Sequence, residues 1–276
     1  MNSLYTQRVL HAATDISIVV NDYRAFQYSM SYTAGQYLYI GSAFPFNNAW
    51  VELGGTVNAV NSVCSVDIWY GNAWVPAVEV FDGTSASAKS LAQSGRIQWT
   101  TNDLKGWDLE QRSSDVTGLT GTNIYNMYWC RLSWNATLTA NVVLKYIGQK
   151  FSDDTQLASH YPDLLENELL SGFSAGKTSW DEQHFMAAEH IIRQLVSKNI
   201  VKSGLQLFDP TIFVDASCHK VAEIAYTAFG KPYSELKSAA NQAYTAALPS
   251  KFVIDTDSDG KVSRCEQQSK SGWMTR

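Results

Sequence analysis

The spacing of apolar residues changes once along this chain, near residue 150, and that change limits what it can fold into. Upstream, segments such as Val66-Asp67-Ile68-Trp69-Tyr70 alternate, as a strand with one buried face does. Downstream, Phe185, Ala188, Ile192, Leu195 and Val196 recur at the spacing of a helix face. Runs of strands followed by runs of helices make an α+β fold, and the switch is read as two separate cores. The expectation is therefore an α+β protein of two domains: an antiparallel β-sandwich or jelly roll over 1–150 and a small α-helical bundle over 151–250. A tail, 251–276, carries a short acidic loop.

Within 1–150, short β-branched and aromatic runs read as strands: Ile16 to Val20, Tyr37 to Ile40, Val63 to Tyr70, Val75 to Phe81, Gly95 to Trp99, Tyr128 to Trp134 and Ala140 to Ile147. Turn signals such as Gly71-Asn72 and Asp82-Gly83 separate them. Seven of the nine tryptophans fall in this part. Trp69, Trp99, Trp129 and Trp134 lie within strands and are expected to fill the core. Trp50, Trp74 and Trp107 adjoin turn-like segments and are the candidates for stacking on a glycan.

Within 151–250, Pro162 opens a helix running from Asp163 to Ser171, and Gly172 closes it. Ser179 and Glu182 have the spacing of a capping box. A third helix runs from Asp209-Pro210 to Phe229-Gly230. A fourth runs from about Tyr233 to Leu248 and stops at Pro249. Its alanines 239, 240, 243, 246 and 247 let neighbouring helices come close.

Few motifs carry chemistry. The chain has no G-x-S-x-G nucleophile turn, no phosphate-binding glycine loop and no HExxH zinc motif. His184 and His190 are six residues apart, which does not place them on one helix face. His219 reads as an ordinary helix residue. Cys64, Cys130, Cys218 and Cys265 form no close pair and read as free thiols. Asp103 with Asp108 or Glu110 could form a carboxylate pair of the glycosidase kind, but sequence does not fix their separation. The reading is of a protein that is not an enzyme.

One segment is sharper. Asp255-Thr-Asp257-Ser-Asp259-Gly-Lys261-Val-Ser263-Arg-Cys-Glu266 matches D-x-[DN]-x-[DN]-G-x5-E in full. A calcium ion would take oxygens from Asp255, Asp257, Asp259, the Lys261 carbonyl, Ser263 and Glu266. The flanks differ from an EF-hand: Pro249 breaks the preceding helix, and Phe252-Val253-Ile254 reads as a short strand. The segment is either a structural Ca2+ site or a solvated acidic turn.

The formal net charge is −5, of which residues 1–150 carry −1 and the remainder −4. Tight, nonspecific binding to nucleic acid needs a basic surface, so that class is disfavoured. No stretch approaches the ~20 apolar residues of a membrane span, and the N-terminus lacks the apolar core of a signal peptide. Folding in the cytoplasm is expected.

The run Val66 to Trp74, then Leu91 to Trp99, Gly106-Trp107 and Tyr128 to Leu132 resembles β-sandwich domains of tailed-bacteriophage virion proteins, which are similar to carbohydrate-binding jelly rolls. Tyr161-Pro162-Asp163-Leu164-Leu165, the helices that follow and the alanine-rich last helix resemble head–tail connector (neck adaptor) proteins. This resemblance implies a structural virion protein assembled in the host cytoplasm. Its helical domain would form a homo-oligomeric ring, commonly of twelve subunits in such connectors, against the portal and other neck or tail proteins. DNA would pass through the lumen without specific binding, and the β domain would project as a collar or decoration. The alternatives are a baseplate or fibre-type glycan-binding module and, behind it, a glycan hydrolase.

Overall fold

The structure is a computed structural model and describes residues 7–24, 26–100 and 127–249. The fold is α+β, with a β-sandwich-like N-terminal part and a helical C-terminal part. The described residues separate into two compact units, 7–148 and 149–249.

The first unit holds β1 (Gln7–His11), β2 (Thr14–Asp15), β3 (Tyr28–Met30), β4 (Leu38–Ser42), β5 (Asn48–Leu53), β6 (Cys64–Tyr70), β7 (Ala73–Pro76), β8 (Val78–Asp82), β9 (Gly95–Thr100), β10 (Tyr128–Trp134) and β11 (Val142–Gly148). They form two antiparallel sheets. One has the order β2-β1-β4-β10-β6-β7 and the other β3-β11-β5-β9-β8. Alternate residues fill the space between them: Val9, Ile40, Cys130, Leu132, Val66 and Ile68 from the first sheet, Val51, Ile97, Trp99, Leu144 and Ile147 from the second. Trp69, Trp99, Trp129 and Trp134 are all buried. The β6–β7 hairpin turns on Gly71 and Asn72, both at φ +58°. This is the left-handed pair that a two-residue primed turn requires and that the Gly-Asn dipeptide supplies.

Two strand expectations need correction. Ile16 to Val20 is not a strand; Ser17–Val20 forms one helical turn, α1. Asp15 starts it, its carboxylate accepting from the Ser17 N–H at 2.9 Å and from the Ser17 hydroxyl. Val75 to Phe81 is not one strand but the end of β7 and most of β8, which lie in different sheets. Pro76 supplies no N–H to prolong the ladder, and the chain changes sheets immediately after it.

The second unit contains α2 (Asp154–His160), α3 (Asn167–Phe173), α4 (Asp181–Ser197), α5 (Val214–Phe229) and α6 (Ser234–Ala247). A capping box starts α2: Asp153 accepts from the Gln156 N–H at 3.0 Å, and Gln156 accepts from the Asp153 N–H at 3.1 Å. The helix expected over Asp163 to Ser171 is broken. Pro162–Leu165 is a 3-10 turn, Glu166 is extended at ψ 139°, and α3 starts after it. Gly172 lies inside α3 rather than past its end. The Ser179/Glu182 capping box does not form. Trp180 is the N-cap without a side-chain bond, and the Ser179 hydroxyl turns to Asp181 instead. The third expected helix begins with a 3-10 turn over Pro210–Phe213 before α5 and ends at Gly230, φ +80°.

Two apolar clusters hold this unit. One joins Ile191 and Leu195 of α4 to Phe151, Phe213, Ala216 and Tyr244. The other gathers Leu157, Leu164, Leu170 and Trp180 against Val221, Ala222, Ala225 and Tyr226 of α5. Trp180 is fully buried and donates its indole N–H to the Leu164 carbonyl at 2.7 Å.

Candidate functional site

The expected calcium ligands Asp255, Asp257, Asp259, Lys261, Ser263 and Glu266 lie outside the described residues, as do Trp107, Asp103, Asp108, Glu110 and Cys265. Trp50 and Trp74 are described, and they lie within strands of different sheets, so they do not share a surface.

Trp74 belongs to an aromatic layer on the outward face of the six-stranded sheet. Leu10, Tyr39, Trp69, Met127 and Trp129 are buried there, with Tyr37 and Trp74 partly covered. Gly41, opposite Trp129, leaves room for the indole: a Cβ at Gly41 would stand 2.7 Å from ring atoms of Trp129. Arg131 lies over the rings of Tyr37 and Trp74, at 4.0 and 4.8 Å from their centroids, and pairs with Asp67 at 2.8 Å. Trp69 meets Trp74 edge-on at 5.2 Å. The Trp74 ring is thus engaged by its own neighbours. Trp50 is half-buried on β5, facing Gly148 and Arg96 across the ladder, and its indole N–H donates to Glu52 at 2.7 Å. That bond fixes the plane of the ring.

The helical unit holds an arrangement that no motif announced. The Ser152 hydroxyl is 2.7 Å from His184 Nδ1, and His184 Nε2 is 3.2 Å from Asp154. Ser152 also donates to the Ser217 hydroxyl at 2.6 Å. The three residue types are those of a nucleophile relay. However, Ser152 is 3 % exposed and His184 and Ser217 are 0 %, so the hydroxyl meets no solvent or substrate. The network satisfies polar groups that the bundle has enclosed. Cys64, Cys130 and Cys218 are free and buried, and burial pushes the Cys218 thiol up to about 12. That removes thiolate chemistry from it near neutral pH. Among the described residues no three His, Cys, Asp or Glu side chains are grouped to hold a metal ion.

The surface that stands out is on α6. The helix lies on α5 through Ala240 and Tyr244, which are buried, and Ala247, which is partly so. At 3.6 residues per turn, Leu236, Ala239, Ala243 and Ala246 fall within ~80° of one another beside that contact. Leu236 is 47 % exposed, Ala239 and Ala246 are exposed, and Ala243 is half-buried. The apolar arc of α6 spans about 160°, more than the ~100° that packing on one neighbour needs.

No helix among the described residues is long and apolar enough to cross a membrane. No protein-family model and no curated protein matches the chain. Among solved structures, "CpGH89CBM32-6 produced by Clostridium perfringens" is similar over 51 % of this chain and 90 % of its own, at 9 % identity and a TM-score of 0.27. At that score the likeness carries no weight for fold or function.

Proposed function

We propose that this protein is a structural virion protein of a tailed phage, a subunit of the neck ring between portal and tail, with its helical unit building the ring. The observation that supports this reading is the second apolar flank of α6. A helix that buries one face on α5 and leaves Leu236, Ala239 and Ala246 open suits a subunit that meets further copies of itself. The negative charge of the C-terminal half suits a lumen that DNA traverses without being held. The β unit, with its own core, would serve as a collar element.

The test is the mass of the purified full chain in solution, alone and with the portal protein, by sedimentation velocity. A ring in either condition is expected. A monomer in both overturns the proposal.

Trp50 favours a second reading, that of a glycan-binding module. A partly buried indole whose N–H is held by Glu52 is a candidate for stacking against a sugar ring. Binding on a glycan array that Trp50→Ala abolishes would support it; an array without hits removes it.

A further inference from the structure

Three loops of the β unit, 54–63, 83–95 and 135–141, are tied to one another from within. Asn58, 1 % exposed, donates to the Ser90 carbonyl at 2.8 Å and accepts from the Thr139 N–H at 3.0 Å. The Ser62 N–H donates to the Ala88 carbonyl at 3.0 Å, and the Val63 N–H to the side-chain oxygen of Asn135 at 2.8 Å. Ser87, Ala88, Leu91 and Asn141 are all held at positive φ, between 51° and 63°. Non-glycine residues keep that backbone state only where their surroundings enforce it, and such positions gather at sites that bind. While Asn58 and Ser62 turn inward, the valines around them turn out: Val57 and Val60 are 39 % exposed and Val63 61 %. Lys89 is the single charged residue in the three loops.

Loops fixed in this way lose little freedom on docking, and the valines gain by leaving water. A charged partner would give up its hydration there with almost nothing to answer it, so the surface that fits is uncharged. The chain itself carries one. The two charged residues of α6, Glu235 and Lys237, both lie in its first four positions, and none follows from Ser238 to Ala247. We propose that the valine-bearing loops of one copy dock on the open α6 flank of the next, the flank of Leu236, Ala239, Ala243 and Ala246. The inference rests on the ring proposed above and names the two surfaces that build it. Two different surfaces meeting head to tail leave one of each free on every new pair, so copies add until a ring closes, whereas a surface that met its own kind would stop at a dimer.

The test is sedimentation velocity of the full chain in the condition, alone or with portal protein, in which the unaltered chain forms its ring. Val60→Asp with Val63→Asp spoils the loops, and Ala243→Glu spoils the flank. Each variant by itself is expected to lose the ring with unchanged far-ultraviolet circular dichroism. An equal mixture of the two is expected to give dimers and nothing larger, because one intact set of loops meets one intact flank. A covalent reading of the same contact is Val60→Cys with Ala243→Cys in a chain that also carries Cys265→Ser. Mild oxidation should link it into a ladder of oligomers that neither cysteine produces alone. A ring that survives Val60→Asp with Val63→Asp overturns this contact and leaves the ring standing, as does a double-cysteine chain that forms no ladder within an intact ring. An unaltered chain that stays monomeric with and without portal overturns the ring, and the contact with it.

Discussion

Single residues set the tightest constraints. Gly41 sits under the Trp129 indole, which is fully buried and cannot swing aside. Gly41→Ala is expected to cost about 1–3 kcal/mol, the range for overpacking a filled site, read as a lower urea midpoint at unchanged slope. Asn58 is 1 % exposed and ties three loops together. Its amide donates to the Val60 and Ser90 carbonyls, both at 2.8 Å, and to the Ser62 hydroxyl at 3.0 Å. Its oxygen accepts from the N–H groups of Val60 and Thr139, both at 3.0 Å. Asn58→Asp keeps the shape but turns the donor side into an acceptor against the Val60 and Ser90 carbonyls. A loss of about 3 kcal/mol or more is expected, measurable by the same denaturation. Neither role shows in the sequence, because each depends on what a distant strand or loop brings alongside.

At the scale of elements, the helical unit is built to lose stability in acid. His190 and His219 are both held below the ordinary histidine value of 6.5, first by burial. The charge of Lys220 adds to this at His190 and that of His160 at His219. A base whose folded-state pKa is depressed binds protons more readily when unfolded. Its contribution is therefore present above pH 6.5 and is lost as pH falls from there through the folded value. The melting temperature, followed by the helical circular dichroism signal, should fall from pH 7 to pH 5; a flat profile over that range contradicts it. Asp181 acts lower on the scale. Burial alone would raise it, but the Lys150 ammonium at 2.9 Å brings it below the usual 3.8. Its contribution is present above that value and drains away only as pH falls below it.

The elements also show where local sequence was readable. The strands from Tyr128 and Gly95, the turn at Gly71-Asn72 and the long helices ending at Phe229 and before Pro249 carry their own punctuation. The errors fall where a contact from elsewhere outweighed a local preference. Ile16 to Val20 is β-branched enough for a strand, yet Asp15 and the Val9 backbone hold Ser17 in a helical turn. Ser179 and Glu182 have capping-box spacing, yet the Trp180 N–H is taken by Asp154 at 3.1 Å, so helix α4 starts differently.

For the molecule as a whole, the open flank of α6 sets the expectation. If it meets further copies, Ala243→Glu should reduce a ring to smaller species by sedimentation while leaving far-ultraviolet circular dichroism unchanged, since Ala243 is not part of the buried line on α5. Loss of helix together with loss of assembly would place Ala243 in the subunit's own fold instead.

The sequence by itself determined that there are two kinds of structure in this chain and nearly where one gives way to the other, because apolar period is a local property that any window displays. It also pointed to Trp69, Trp99, Trp129 and Trp134 as core, since they stand within strands, but it did not single out Trp180, which is buried in the helical unit. Tertiary structure alone decided that Trp74 is taken up by Arg131 and the Trp50 indole by Glu52, that Ser152, Asp154 and His184 meet although thirty residues separate the last two, and that α6 covers only part of its apolar arc. Each of these depends on which elements lie side by side, and pairing between distant segments leaves no mark on the spacing within either one.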